Sequence, residues 1–186
     1  MSKINTDAVE PSTGTSLVLG ASGDTISIPA VATITNAGTS SGFGKEVQAV
    51  TTQDYGGGIE VDGVTTYATM GSDFAVSITP TGTSSKILIL ASSGRAKLDG
   101  NTSYAGEIKI YRQIASGGYS SINTSPVVHI NGADGKFRPW SFQYLDSPNT
   151  TSQVDYQLYM RASGNAVISF ASDTHYRSIT VVEIGG

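Results

Sequence analysis

Two histidines, fifteen acidic residues and no cysteine bound the chemistry open to this 186-residue chain. His129 falls inside the strand-like VVHI, and His175 in the turn-like SDTHYRS. Neither belongs to a spaced ligand set. Without cysteine there is no disulfide and no thiolate metal site. Serines abound, but no strand-to-helix nucleophile elbow is expected among them, because no segment shows helical periodicity. The carboxylate pairs Glu60/Asp62 and Asp146/Asp155 are the candidates for glycoside hydrolysis, which needs two carboxyls about 5–10 Å apart across a cleft. Glu60-Val61-Asp62-Gly63 reads better as a hairpin, with both carboxylates on one exposed face and Asp-Gly as a type I′ turn. Asp146 precedes Ser147-Pro148 and is expected to accept turn hydrogen bonds. The turns Asp99-Gly100-Asn101 and Asn131-Gly132-Ala133-Asp134 offer hard oxygens, but fewer than the roughly six to eight that calcium takes. The expectation is a non-enzymatic protein with no catalytic residue, no metal and no cofactor.

Carbohydrate recognition fits the remaining surface chemistry best, because sugars stack on aromatic faces and hydrogen-bond to Asn, Asp and Tyr. The longest loops carry those types, which makes Asp99, Asn101, Tyr104, Tyr119, Asn123 and Asp134 the receptor-binding candidates. Trp140, the single tryptophan, lies in a strand pattern after Pro139 and reads as core or subunit interface.

The elements that must hold these residues are strands. EIKIYRQ (107–113) alternates cleanly: Ile108, Ile110 and Arg112 point one way, Lys109, Tyr111 and Gln113 the other. VTTYATM (64–70) and FAVSIT (74–79) alternate as well. KILILAS (86–92) is a continuous apolar run, expected to be buried on both faces. PVVHI, WSFQYL, VDYQLYM, AVISF and ITVVEI follow, separated by Gly, Asn, Asp and Pro turns. No segment shows helical periodicity with caps. Some eight to ten short strands at this spacing predict an all-β antiparallel sandwich of jelly-roll type over residues 45–186. Tyr111, Tyr156 and the aliphatics on both parities of Ile179–Ile184 call for a second covered face on some strands, which a threefold partner would supply.

Residues 17–44 differ in texture. Leu17/Leu19, Ile26/Ile28 and Ile34 form pulses too thin for one chain to bury: a pair of aliphatics offers about 3–6 kcal/mol of transfer energy. Ordering the backbone costs about 1–2 kcal/mol per residue. Around a threefold axis the same residues can face their copies, so this zone reads as one third of a β-rich shaft with these five residues at its core. Residues 1–16 are polar with scattered aliphatics, among them Ile4 and Val9, and read as a docking peptide.

Composition narrows the class. Eleven basic against fifteen acidic residues give a net charge of −4 and a pI near 5.0, which argues against a nucleic-acid partner. Charged residues make up 14%, below the roughly 25% of ordinary domains, and glycine is frequent. The N-terminus lacks an apolar signal-peptide core, and no window approaches the roughly 20 apolar residues of a membrane span. The expectation is a particle-borne β-protein with no membrane insertion.

Glu10–Gly44 (EPSTGTSLVLGASGDTISIPAVATITNAGTSSGFG) resembles a segment of virion fibre proteins of tailed bacteriophages, especially those of marine bacteria. ITPTGTSSKILIL, IKIYR, YLDSPNTTSQVDYQL and the terminal ITVVEIGG resemble the C-terminal jelly-roll heads of phage tail and head fibres. The resemblance implies a homotrimeric virion fibre on the phage tail or capsid surface. Its N-terminus would bind other virion proteins, and its head would meet a host cell-surface glycan or protein. A capsid or tail decoration or connector protein with no receptor is the alternative. A polysaccharide depolymerase fits less well, since such shafts run far longer, and a cellular trimeric ligand of the tumour-necrosis-factor type lacks its export signal here.

Overall fold

The computed structural model describes residues 46–55, 59–100, 103–131, 135–164, 166–170 and 175–185, all within one compact unit, Gly44–Gly186. The expected docking peptide (Ile4, Val9) and shaft core (Leu17, Leu19, Ile26, Ile28, Ile34) lie outside the described residues, as do Asn101 and Asp134.

The described chain is all-β. Its strands are β1 (Glu46–Tyr55), β2 (Ile59–Asp62), β3 (Ala68–Thr69), β4 (Ala75–Ile78), β5 (Lys86–Asp99), β6 (Ala105–Ile114), β7 (Ser120–Ser121), β8 (Val128–Asn131), β9 (Phe137–Asp146), β10 (Val154–Ala162), β11 (Val167–Phe170) and β12 (Tyr176–Ile184). A single 3-10 turn, Ser72–Phe74, is the only helical element among the described residues.

Every pairing is antiparallel, in two sheets. In sheet A the long β5 is central. One edge of β5 takes β12 along residues 86–93 and β11 along 97–99, and the other edge takes β9. Strands β1 and β2 pair outside β12 and β11. In sheet B, β10 and β6 pair along their full length; β4 and β3 share the free edge of β10, and β7 and β8 that of β6. The chain passes from sheet to sheet at β2–β3, β4–β5, β5–β6, β8–β9, β9–β10 and β10–β11, giving a β-sandwich with jelly-roll-like alternation.

The core follows the period-2 pattern. Ile87, Ile89 and Leu98 of β5 and Ile179 and Val181 of β12 face Ile108 and Ile110 of β6 and Val154, Leu158 and Met160 of β10, all essentially buried. Each such side chain contributes about 1.5–3 kcal/mol of transfer energy. Trp140 is core: its ring lies 5.5 Å from Phe74 and stacks on Phe142 at 6.0 Å. The sheets touch closely at Gly106, where a Cβ would sit 3.0 Å from Ile168 Cδ1.

Four expectations change. KILILAS is not covered on both faces: Leu88 is half-buried and Leu90 is 36% exposed, because nothing among the described residues overlies the outer face of sheet A. Glu60–Gly63 is not a hairpin, since β2 pairs with β11 and Gly63, at φ +59°, turns the chain toward sheet B. Tyr156 shares the parity of Val154 and is fully buried. Asp146 does not serve its turn. It points into the sandwich and accepts bonds from Arg112 Nη1 (2.9 and 2.7 Å to its two oxygens) and Tyr156 Oη (2.7 Å).

Strand β1 carried no apolar alternation because its inward row mixes Val50 with the polar Gln48, Thr52 and Asp54, and Gln48 and Asp54 meet buried charges. Gln48 donates to Glu183 at 2.7 Å, and Asp54 pairs with Arg177, which also holds Asp73 at 2.6 Å. Glu183 further accepts from the Thr81 amide at 2.7 Å and the Thr81 hydroxyl at 2.8 Å. Burial pushes the Glu183 carboxyl up, but hydrogen bonds from Ser85, Gln48 and Thr81 outweigh it and hold the group below the usual carboxylate range.

Asp146→Ala is expected to lower unfolding free energy by about 3–5 kcal/mol, since it strips Arg112 and Tyr156 of their acceptor inside the sandwich. Urea unfolding followed by circular dichroism measures this, and a loss below about 1 kcal/mol would mean the cluster adds little. Glu183 has a depressed folded pKa, so its contribution is complete above the unfolded value of about 4.3 and is lost as pH falls through the folded value. Acid unfolding of Glu183→Gln is therefore expected to depend less steeply on pH below about 4.3 than that of the parent.

Candidate functional site

Two sheet faces point away from the core, and they differ in chemistry. On sheet A, alternation turns Leu88, Leu90 and Ser92 outward from β5. Register places Val182, Thr180 and Ser178 of β12 beside them, with Leu145, Gln143 and Ser141 of β9 on the other flank. Ala49, Thr51 and Gln53 of β1 complete the rows. One row is apolar (Ala49, Val182, Leu88, Leu145), one mixed (Thr51, Thr180, Leu90, Gln143) and one polar (Gln53, Ser178, Ser92, Ser141). None of the twelve residues is charged. Leu145 is 50% exposed. The hydroxyls satisfy one another, Thr51 with Thr180 at 3.0 Å and Ser92 with Ser178 at 3.4 Å. A shallow cleft of about 450 Å³ lies over Leu90, Ser92, Gln143 and Thr180. It adjoins a second of about 640 Å³ lined by Trp140, His175 and Tyr176, the two sharing Ser92 and Ser141.

Sheet B presents aromatic and charged groups. Tyr111 of β6 and Tyr159 of β10 lie on its outer face and stack with centroids 4.0 Å apart and planes at 23°. Tyr67 stands 6.3 Å from Tyr111, and Tyr119 stands 6.1 Å from Tyr159, both tilted. Tyr67 Oη donates to Glu107 Oε2 at 2.6 Å, and Arg161 Nε donates to the same oxygen at 2.7 Å. The Arg161 guanidinium lies 4.9 Å from the Tyr67 ring centre and Lys109 Nζ lies 5.2 Å from it, within cation–π range. Lys109 Nζ also donates to the Thr124 carbonyl at 2.7 Å. The Arg161 bond holds the Glu107 carboxyl below its usual range. Burial and the Glu107 bond raise the Tyr67 phenol well above its ordinary value, and burial, with Asp155 nearby, raises that of Tyr119.

The residues singled out in the loops are distributed as follows. Asp99 closes β5 in an ion pair with Lys97 at 2.6 Å. Tyr104 is half-buried over Gly164, where a Cβ would fall 2.5 Å from the ring; φ at Gly164 is +64°, so both space and backbone require glycine. Asn123 Oδ1 accepts from the Ile110 amide at 3.0 Å, and its Nδ2 donates to the Ser125 carbonyl, so the side chain caps the β6 edge between β7 and β8. Tyr119, 37% exposed, joins the tyrosine row. Tyr104 and Tyr119 are not brought together. Tyr104 precedes Ala105 and Tyr119 precedes Ser120, the partner of Arg112, so about seven residues of β6, roughly 24 Å, separate them.

Asp146 and Asp155 lie on opposite sides of sheet B, Asp146 in the core and Asp155 on the outer face beside Gln153. Among the described residues no three of His, Asp and Glu converge as metal ligands would. Sequence reading missed Tyr67, Tyr111 and Tyr159 as surface chemistry because they sit within strand-like segments. The available signal was an aromatic on the polar parity of two strands, EIKIYRQ and VDYQLYM.

No family model matches the chain, and no curated protein matches it. Among solved structures, the Eiger tumour necrosis factor of S. frugiperda is similar over 74% of this chain and 93% of its own, with 11% identity and a TM-score of 0.42. The D431N mutant VP2 protein of infectious bursal disease virus is similar over 74% of this chain and 40% of its own, at 11% identity and a TM-score of 0.39. A structure of the Gx strain of the same virus covers 75% of this chain and 43% of its own, at 9% identity and a TM-score of 0.35.

Proposed function

We propose that this chain is a structural virion protein of a tailed bacteriophage, a fibre or spike that works as a homotrimer. Its N-terminal segment anchors it to the particle, and the unit Gly44–Gly186 meets the host surface without a catalytic step. The observation that carries this reading is the uncharged middle of the outer face of sheet A, bounded along β5 by Lys86 at one end and the Lys97–Asp99 pair at the other. The solvated face of an antiparallel sheet is ordinarily polar and charged, which keeps monomers apart. Here the chain has 26 charged side chains (11 basic and 15 acidic), yet none lies among the twelve residues of these three rows, and two leucines stand in the open.

Copies meeting around an axis bring identical surfaces into close range, where a repeated charge would repel itself. A neutral face with an apolar row suits that contact. The N-terminal pulses and the fibre-like phrases of the sequence support the same geometry of stalk and head. Three weak head sites on one rigid body raise effective concentration, so avidity can exceed single-site affinity by about 10²–10⁴.

Light scattering on the purified full chain is expected to give three times the 19.3 kDa chain mass. Leu90→Glu combined with Leu145→Lys is expected to yield a folded monomer, with its β-type circular dichroism retained. A parent protein that is itself a folded monomer at micromolar concentration would overturn the trimer. In a competition assay the purified protein is expected to block phage adsorption to host cells; no block would favour a decoration or connector role.

A further inference from the structure

We infer that the outer face of sheet B is a binding site for neutral hexopyranose sugars, centred on Tyr119, Tyr159 and Tyr111 and ending at Tyr67. It rests on the attachment reading for its biological use, but the chemistry stands on the sheet itself. Three separate segments deliver four tyrosines to one row, with ring-to-ring steps of 6.3, 4.0 and 6.1 Å. Tyr111 and Tyr159 stack on each other and so turn their edges outward, while Tyr119, tilted 46° and 37% exposed, keeps ring surface in solvent. An aromatic face packs against the C–H face of a pyranose, and flanking polar groups take its hydroxyls.

The polar groups are held in place before any ligand arrives. Glu107 is fixed by Tyr67 and Arg161, Asp155 by Gln153, and Gln157 by the Gly71 carbonyl at 3.3 Å. Such preorganisation lowers the ordering entropy lost on binding.

Charge selects the class of sugar. The face carries Glu107 and Asp155 against Lys109 and Arg161, a balance of zero. Both cations are engaged, Arg161 with Glu107 and Lys109 with the Thr124 carbonyl, and both lie over the Tyr67 ring. No basic cluster offers itself to a phosphate, sulfate or carboxylate. A neutral polyhydroxyl ligand matches a neutral face of fixed donors and acceptors. A protein hot spot would instead have a desolvated apolar centre. Here the charged pair stays at the surface, with the Arg161 side chain 42% exposed.

The test titrates the full chain with lactose, maltose, cellobiose and sialyllactose, read by saturation-transfer NMR. At least one neutral disaccharide is expected to bind, and Tyr119→Ala and Tyr159→Ala are each expected to weaken it about tenfold with circular dichroism unchanged. Leu90→Glu, on the opposite sheet, is expected to leave single-site affinity unchanged. Binding of none of the neutral sugars, equal binding by the tyrosine variants, or preference for sialyllactose would each overturn the inference. Adsorption assays separate the two proposals. If none of the neutral sugars binds but the parent and both tyrosine variants block phage adsorption equally, the sugar site fails and the attachment reading stands. If the sugar binds through these tyrosines but the parent blocks nothing, the site stands and the attachment reading fails.

Discussion

Asp146 joins the two layers of this protein. It lies at the end of β9, an edge strand whose ladder partner is β5 alone, and its carboxylate reaches across the sandwich to Arg112 on β6 and Tyr156 on β10. Aliphatic packing holds two sheets together but discriminates weakly between sliding positions, because it has no direction. A carboxylate with three directed bonds does discriminate. It sets β9 against the β6–β10 pair, and with it the alignment of sheet A over sheet B. Burial and the Asp146 bond raise the Tyr156 phenol far above its ordinary value, so it remains a donor.

Two further charged centres do the same at the other edge. Glu183 gathers Gln48 and Thr81, while Arg177 gathers Asp54 and Asp73. Both lie on β12, six residues apart and on the same parity, so both point inward and together they secure β1 and the 3-10 turn. A chain with few charges places these inside, where they fix geometry, and leaves the middle of the outer face of sheet A without any. The neutrality of that face and the polar clamps within are two sides of one distribution.

The two sheets then present opposite surfaces. Sheet A offers small, uncharged residues in rows from apolar to hydroxyl, a surface suited to another protein copy. Sheet B offers rings, hydroxyls and paired charges, a surface suited to a small polar ligand. On the proposed reading, a fibre head needs both, one to gather the three chains and one to face outward. A sandwich supplies them without compromise, because alternate residues of a strand belong to different faces.

The sequence by itself determined the all-β class, most of the strands and the parity of those that alternate cleanly. The two-residue alternation of EIKIYRQ and VDYQLYM is a local property that any antiparallel sheet must honour, and β6 and β10 honour it along their length. It also placed Trp140 within a strand and Tyr119 at the surface. Tertiary structure alone decided which strands are neighbours. β1 escaped notice because Val50 is flanked on its inward row by polar residues, and only the approach of Glu183 and Arg177, more than 120 positions away, makes the burial of Gln48 and Asp54 favourable. Asp146 looked like a turn residue for the same reason: its partners come from two other strands. The tyrosine row was hidden likewise, since Tyr67, Tyr111, Tyr119 and Tyr159 are scattered over more than ninety positions and meet only when β6 pairs with β10. Alternation is written in neighbouring residues, whereas register, charge pairing and a composite surface depend on contacts between distant ones.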